Sequence, residues 1–125
     1  MHNWEEKLIL IVEDEEVNYL FLEEALNLTK VKIIRAACGS EAMELFTLTP
    51  SIDLVLLDIK LPGKNGYEVV KAMKELRPQI PVIAQTAYAL AGEKEKMFCA
   101  GFNSYLSKPI KPRDLFSSIE KFFGS

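Results

Sequence analysis

Short apolar runs along the chain alternate with longer segments in which apolar residues recur every three or four positions. A short run rich in leucine, isoleucine and valine is typical of a β-strand that is buried on both faces of a sheet. The second run differs, because it carries charged residues among its β-branched ones, which is typical of an edge strand. The predicted strands are Leu8–Val12, Val31–Ala37, Leu54–Leu57, Pro81–Ala84 and Ser104–Ser107.

The segments between these runs are predicted to be helices, because their apolar residues follow the helical period. In the first of them, Val17, Leu20, Phe21 and Leu28 form the predicted buried stripe, whereas the fourth segment has only a weak apolar face. The predicted helices run from Glu16 to about Leu28, from Ser40 to before Pro50, from about Tyr67 to Leu76, from Ala89 to Ala100, and onwards from Pro112.

Strict alternation of strands and helices predicts an α/β fold with a parallel sheet and helices on both of its faces. Right-handed crossovers leave few topologies. For five strands we expect a flavodoxin-like, doubly wound (βα)5 domain with strand order 2-1-3-4-5, formed by residues 1–125 as one unit. In this topology ligands bind in the crevice at the carboxyl ends of strands 1 and 3.

Composition and charge narrow the possible functions. The 125 residues carry a net charge of -3 without a cluster of Lys and Arg, so direct nucleic-acid binding is not expected. No apolar run is long enough to span a membrane and the first residues do not resemble a signal peptide, so we expect a cytoplasmic protein without membrane contact. Cys38 and Cys99 are interpreted as buried, reduced thiols, and His2 is the single histidine. Catalysis by a Ser-His or Cys-His pair is therefore excluded.

Five residues with reactive side chains stand where the predicted strands end. An acidic strand end alone is weak evidence, because carboxylates often only cap the next helix or face solvent. Acidic groups after both central strands, with a hydroxyl and an amine after the next two, indicate a site. Clustered carboxylates favour a bound cation such as Mg²⁺, and a cation with a lysine can neutralise a phosphoryl group during transfer. The five residues are Glu13, Asp14, Asp58, Thr86 and Lys108.

These motifs together resemble the receiver domains of two-component response regulators over essentially the whole chain. The resemblance rests on Val12-Glu13-Asp14, on Leu57-Asp58 followed by Leu61-Pro62-Gly63-Lys64-Asn65-Gly66, on Gln85-Thr86-Ala87 and on Lys108-Pro109.

For the metal site, the resemblance implies that Mg²⁺ or Mn²⁺ is bound directly by Asp14, Asp58 and the backbone carbonyl of Lys60. Glu13 would act through a bound water. The first acidic position is Glu13, where aspartate is commoner in the family, and the extra methylene shifts this carboxylate. Its metal role is therefore less firmly implied than that of Asp14. Because the three carboxylates repel each other, Asn at position 14 or 58 is expected to raise the melting temperature without metal.

For the phosphoryl group, the resemblance implies that Asp58 is the phosphoacceptor and that Thr86 and Lys108 bind the phosphoryl oxygens. It also implies a cis peptide bond between Lys108 and Pro109, and it places Tyr105 at the aromatic switch position of the fifth strand. Such a domain is a substrate that assists its own phosphorylation and dephosphorylation, and is not an enzyme in the ordinary sense.

The implied partner is a histidine kinase or a histidine phosphotransfer domain that donates the phosphoryl group. The output surface is expected to comprise helix 4, strand 5 and helix 5, which can also form a homodimer. The stretches Val12–Leu26 and Gln85–Ala89 look most like receivers of hybrid sensor histidine kinases. A stand-alone receiver and a truncated transcription regulator are the alternative origins.

Three other functions remain to be compared with this one. A flavodoxin-like FMN module needs a phosphate-binding loop after the first strand, but Glu13-Asp14-Glu15-Glu16 repels phosphate. A phosphohydrolase with an aspartate nucleophile needs a second acid two residues later, where this chain has Lys60. A pseudo-receiver that is not phosphorylated is disfavoured because all the essential positions are filled.

Overall fold

The structure, a computed structural model, describes residues 2–87 and 91–124. Strands and helices alternate through this part of the chain, as the apolar pattern predicted. The first two positions of the predicted fourth helix, at 89 and 90, lie outside the described residues. The elements are β1 (Leu8–Val12), α1 (Glu16–Asn27), β2 (Lys32–Ala36), α2 (Gly39–Leu48), β3 (Leu54–Asp58), α3 (Gly66–Leu76), β4 (Val82–Thr86), α4 (Ala91–Ala100), β5 (Ser104–Ser107) and α5 (Pro112–Phe123).

The five strands form one parallel sheet in the order β2-β1-β3-β4-β5, which confirms the predicted doubly wound α/β fold. β3 and β4 extend further than predicted and end in Asp58 and Thr86. Backbone pairing explains the extension, because Asp58 is in register with Gln85 and Thr86 with Ser107. The backbone of both residues is therefore fixed by pairing within the sheet, so their side chains start from strand positions and not from a loop.

Successive residues along each strand point to opposite faces of the sheet, and a hydrophobic core lies on each face. Val55 and Leu57 pack with buried residues of α2, α3 and α4 on one face. Leu54 and Leu56 pack with α1 and α5 on the other. Every residue of β3 and β4 is buried, so the centre of the sheet is a rigid base for the groups at its carboxyl edge.

The prediction of which face of α1 is buried was wrong. The helix buries Tyr19, Leu22 and Leu26 against the sheet. Val17, Leu20, Phe21 and Leu28 are instead the exposed large hydrophobic residues of this region. The helix carries apolar residues at helical spacing on two faces, and periodicity cannot tell which of them will meet the sheet.

The prediction that both cysteines are buried was wrong. Cys38 is partly exposed and Cys99 is exposed, and neither forms a disulfide in the described part of the chain. Cys38 directly precedes the first residue of α2. Cys99 lies on α4, a helix that buries Met97 completely but leaves its neighbours at 98 and 99 exposed.

The N-terminal segment packs against the end of α5. Trp4 is buried in the core on the α1 and α5 face of the sheet. Its indole N–H donates to the carbonyl of Gly124 at 3.0 Å. His2 hydrogen-bonds Glu120. Within the described ranges, no helix has both the length and the apolar character needed to cross a membrane.

Candidate functional site

Three carboxylates meet at the carboxyl edge of the sheet, where β1 and β3 end. One oxygen from each of Glu13, Asp14 and Asp58 lies within 4.8 Å of the others. Glu13 and Asp58 are only 1% and 4% exposed, whereas Asp14 is exposed at the mouth. Buried like charges at this separation repel strongly, because the protein interior screens them less than water does. The cluster therefore favours a cation.

Lys108, from the loop after β5, reaches across the sheet to this cluster. Its Nζ atom lies 2.8 Å from Asp58 Oδ2 and 3.7 Å from Glu13 Oε1. The other carboxylate oxygen of Asp58, Oδ1, accepts the backbone N–H of Lys60 at 2.9 Å. Burial alone lowers the pKa of Lys108, but the hydrogen bond to Asp58 and the charges of Asp58 and Glu13 outweigh it and raise the pKa. The lysine is therefore a permanent cation in the site.

Glu13 is held by two donors that the sequence did not reveal. Asn18, in the first turn of α1, donates to Glu13 Oε1, and the backbone N–H of Glu15 donates to Oε2 at 3.2 Å. Burial raises the pKa of Glu13 to about 7; the Asn18 hydrogen bond opposes this and the charge of Asp58 adds to it. The carboxylate is thus held at the edge of ionisation near neutral pH. Asn18 could have been suspected from sequence only because it stands one turn beyond the acidic pair.

The backbone at the end of β1 is anchored from β2. The guanidinium of Arg35 donates from Nε and Nη2 to the carbonyl of Glu13, at 3.2 and 3.1 Å, and lies 4.6 Å from the centroid of the Tyr19 ring. Arg35 thereby joins β2, the acidic turn and α1. We expect the turn that carries Glu13 and Asp14 to be rigid for this reason.

The loop that follows Asp58 depends on a glycine. Gly66, the first residue of α3, packs directly on the end of β3 and donates its N–H to the carbonyl of Ile59 at 2.7 Å. A Cβ atom at this position would lie 2.6 Å from the Cα of Ile59 and 2.8 Å from the carbonyl oxygen of Asp58. Asn65 caps the helix by accepting the N–H of Glu68 at 3.0 Å. The Asn65-Gly66 pair thus lets α3 start close behind Asp58.

An open cavity of about 370 Å³ adjoins Asp58 on the side of β4 and α4. Thr86 is one of the residues that line it, and the carbonyl of Thr86 accepts the backbone N–H of Lys108 at 2.8 Å. This hydrogen bond ties the carboxyl end of β4 to the loop that carries the lysine. The residues lining the cavity are Asp58, Ile59, Lys60, Tyr67, Gln85, Thr86, Ala87, Glu93, Lys96 and Lys108.

The far wall of the cavity is formed by side chains that sequence reasoning missed. The hydroxyl of Tyr67 on α3 donates to Glu93 Oε2 on α4 at 2.8 Å, and Lys96 Nζ lies 4.7 Å from the centroid of the same ring. Burial, together with the bond to Glu93, raises the pKa of Tyr67 to about 12. These residues are far apart in the sequence, and no local pattern relates them.

The peptide bond between Lys108 and Pro109 is cis, as predicted. Tyr105 is half-buried and is not among the residues that line the cavity. Its ring lies edge-on to Phe98 of α4 at 6.3 Å, with Lys94 Nζ 5.6 Å from its centroid. The structure therefore brings together the five residues predicted at the strand ends, and it places Tyr105 separately, on the surface between α4 and β5.

Comparison with known proteins assigns the family. The family model described as "Response regulator receiver domain" matches residues 9–120. The chain belongs to this family. Receiver domains are the phosphoaccepting modules of two-component signalling, and the motif resemblance that the sequence indicated is confirmed.

Relatives and solved structures agree with this assignment. This chain is 38% identical over 121 residues to the polar-differentiation response regulator DivK of Brucella ovis. The match covers 94% of this chain and 97% of DivK. The receiver domain of the sensor histidine kinase PA1611 from Pseudomonas aeruginosa is 32% identical, with a TM-score of 0.86 over 95% of this chain and 98% of that one. That protein has a magnesium ion coordinated in its active-site cleft.

A third similar structure contains a partner protein. The receiver domain of the Saccharomyces cerevisiae response regulator Ssk1, solved with the histidine phosphotransfer protein Ypd1, is 26% identical to this receiver domain. The TM-score is 0.87, over 94% of this chain and 88% of that one. Receiver domains bind Mg²⁺ at acidic residues, and this receiver domain has the corresponding acidic cluster of Glu13, Asp14 and Asp58.

Proposed function

We propose that this receiver domain accepts a phosphoryl group on Asp58 from the phosphohistidine of a histidine kinase or histidine phosphotransfer domain. The observation that carries the proposal is the position of the Asp58 carboxylate. It is almost fully buried, it contacts the Lys108 ammonium at 2.8 Å, and it adjoins two further carboxylates. A buried nucleophile with a cation on one side and a cation-binding cluster on the other is suited to phosphoryl transfer.

We propose Mg²⁺, or Mn²⁺, as the ion that completes the site. The cluster has three carboxylates, and the one ammonium contacts only those of Glu13 and Asp58, so an excess of negative charge remains. Carboxylate oxygens are the ligands these ions prefer. Asp14 and Asp58, with the carbonyl of Lys60, would hold the ion directly, and Glu13 would hold it through a water molecule. The ion would neutralise charge on the phosphoryl oxygens during transfer.

The chain's own residues supply the rest of the mechanism. An oxygen of Asp58 forms a bond to phosphorus while the bond from phosphorus to the donor's histidine nitrogen breaks, and that nitrogen keeps the electron pair. Lys108 and the hydroxyl of Thr86 bind the phosphoryl oxygens as negative charge moves onto them. In this step the domain is itself the substrate, because the phosphoryl group ends on its own side chain.

Incubation with acetyl phosphate tests this proposal. In Mg²⁺ the intact mass should rise by one phosphoryl group, and in chelator it should stay unchanged. Labelling that is equal in both conditions would contradict the metal site. Complete lack of labelling in Mg²⁺ would favour the alternative, an interaction module of the pseudo-receiver kind.

The docking surface for the donor is proposed to be the exposed apolar face of α1. This helix begins two residues after Asp14, so its first turns border the mouth of the site. Val17 is 80% exposed, and Leu20 and Phe21 are also exposed. A donor histidine must approach Asp58 through this mouth, and the helix that carries it would then pack on α1. Exposed apolar patches of this kind mark interaction sites.

Polar substitution of this face of α1 should slow phosphorylation by a donor protein but not phosphorylation by acetyl phosphate. The donor for this test is a phosphorylated histidine phosphotransfer protein that labels the wild type. The double variant Val17→Asn/Leu20→Asn should accept the phosphoryl group from it about tenfold more slowly, or slower still. Labelling by acetyl phosphate should be unchanged, because this small donor needs no docking surface. Leu48→Asn is the control, since Leu48 is 71% exposed but lies at the far end of α2. Equal slowing in the control would remove α1 as the docking surface.

The output surface is proposed to be α4, β5 and α5, with Thr86 and Tyr105 as the switch. Met97 is the one buried residue among residues 92–100 of α4, and Tyr105 lies edge-on to the exposed Phe98 of this helix. Thr86 should move towards the phosphoryl group, and Tyr105 should turn inward. Backbone NMR shifts caused by beryllofluoride should therefore extend along this surface, and shifts confined to the crevice would oppose a switch. Homodimerisation through the same surface is part of the proposal.

The origin of the domain in a hybrid sensor histidine kinase stays a prediction, as does its cytoplasmic location. Similarity to the receiver domain of the kinase PA1611 supports this origin. Similarity to DivK over 97% of its length supports the stand-alone alternative. Reading the full parental open reading frame decides between them, because a hybrid kinase must encode a kinase domain in the same frame.

A further inference from the structure

Gln85 is a buried polar residue whose hydrogen-bonding groups are unused. Its side chain is 0% exposed, and neither Nε2 nor Oε1 has a hydrogen-bond partner among the described residues. An unsatisfied buried amide is costly and uncommon in folded proteins. A methionine would fill the same space without this cost. The position therefore calls for an explanation in terms of function.

The sheet register places Gln85 next to Asp58. The two residues are Cα partners on neighbouring strands, and Gln85 is the partner of Leu106 on its other side. Paired residues of parallel strands point to the same face. The preceding pair of that face, Leu56 and Ile83, contributes to one common core, in agreement with this rule. Gln85 thus lies beside Asp58 on the face that also carries Glu13.

To reach Asp58, the side chain of Lys108 must extend across β4, the strand that carries Gln85. Lys108 follows β5, whereas its ion-pair partner Asp58 is on β3, and β4 lies between these strands. Adjacent strands are about 4.8 Å apart. The β4 residue in register with Asp58 is Gln85, so this amide belongs to the strand that separates Asp58 from β5 and stands in the same row as Asp58. Gln85 also belongs to the lining of the cavity next to Asp58.

We propose that Gln85 is a positioning residue for phosphoryl transfer, whose side-chain carbonyl accepts a hydrogen bond from Lys108 in the phosphorylated state. The proposal rests on Asp58 being the phosphoacceptor. Before transfer, Lys108 donates to Asp58 Oδ2 at 2.8 Å. When an oxygen of Asp58 becomes bonded to phosphorus, the carboxylate charge is lost and the negative charge resides on the phosphoryl oxygens.

The lysine must then turn from the carboxylate towards the phosphoryl group. An ammonium has three N–H donors, so it can bind a phosphoryl oxygen and still donate to a second acceptor. Gln85 Oε1, an unused neutral acceptor on the strand next to Asp58, would be that second acceptor. A fixed acceptor there would orient the ammonium and reduce the rotational freedom that it loses on binding the phosphoryl group. This role gives the unpaired amide a partner in one state of the domain.

Gln85→Met tests the proposal, because methionine keeps the length of the side chain and removes the acceptor. The measurements are the affinity for beryllofluoride with Mg²⁺, which mimics the phosphoryl group, the lifetime of the acyl phosphate, and the melting temperature. The affinity for beryllofluoride should fall about fivefold or more. The melting temperature of the unliganded domain should stay equal or rise. Ile83→Leu, a buried apolar exchange on the same strand and face, should leave the affinity unchanged.

The outcomes separate this inference from the function on which it rests. If Gln85→Met binds beryllofluoride as tightly as the wild type, Gln85 has no positioning role, whatever its effect on melting. An equal loss of affinity in Ile83→Leu would also overturn the inference, because it would trace the loss to general repacking. If the wild type itself binds no beryllofluoride and takes no label, the proposed function fails, and the inference fails with it.

Discussion

Asp58→Asn is expected to remove all incorporation of the phosphoryl group from acetyl phosphate. The amide oxygen of asparagine is a poor nucleophile, and the variant also loses one of the negative charges that attract the cation. Among the described residues, Asp58 stands in a place that no other carboxylate shares. It is the last residue of a fully buried strand, one oxygen is fixed by the N–H of Lys60, and the other contacts Lys108. The expected change is from one phosphoryl group per chain to none.

Intact mass measured after incubation in Mg²⁺ checks this expectation. Asp114→Asn is the matched control, because Asp114 is an exposed carboxylate on α5, and it should label like the wild type. Labelling of Asp58→Asn to the wild-type level would show that another residue accepts the phosphoryl group. Partial labelling in Asp58→Asn that is lost on further substitution of Asp14 would identify Asp14 as the acceptor in that variant.

Removing a carboxylate from the acidic cluster is expected to stabilise the metal-free domain. Glu13→Gln in chelator at pH 8 should increase the free energy of unfolding by about 1 kcal/mol. Glu13 is buried and has a pKa of about 7, so its ionisation above neutral pH opposes folding. The gain is less than the pKa shift alone suggests, because glutamine cannot accept from both Asn18 and Glu15. Asp14→Asn should give a smaller gain, because Asp14 is exposed.

The pH dependence has a defined sign. Below the ordinary glutamate pKa of 4.5, Glu13 is protonated in both the folded and the unfolded chain, and it favours neither. Between 4.5 and about 7 the unfolded chain loses this proton while the folded chain keeps it. Stability therefore falls as pH rises through this window, and it changes no further above it. Glu13→Gln should abolish this part of the pH dependence.

Thermal melts with and without Mg²⁺ provide the measurement. Mg²⁺ should raise the melting temperature of the wild type and should raise it less in Asp14→Asn, because a ligand of the native state stabilises by mass action. Destabilisation of both Glu13→Gln and Asp14→Asn in chelator would mean that these carboxylates serve mainly as structural acceptors. Asp58→Asn is also predicted to melt higher than the wild type in chelator. Its gain should be smaller than that of Glu13→Gln, because Lys108 and the N–H of Lys60 contact the Asp58 carboxylate.

The sequence by itself determined the fold and the identity of the residues at the strand ends. Apolar runs and helical periods are local patterns, and right-handed crossovers then leave few arrangements of the strands. Because the carboxyl ends of parallel strands meet at one edge, residues 13, 14, 58, 86 and 108 could be placed together without coordinates. The cis bond before Pro109 followed from the resemblance to the family.

Only the tertiary structure decided which face of each helix is buried and which distant side chains meet. α1 is apolar on two faces, and its docking on the sheet buried Tyr19 and exposed Val17. The clamp of Asn18 on Glu13 and the link from Tyr67 to Glu93 depend on how neighbouring elements are oriented. The isolation of the Gln85 amide depends on every side chain around it. Such contacts join residues whose separation follows no period, so their energies arise only when the elements pack, and no local pattern of the sequence encodes them.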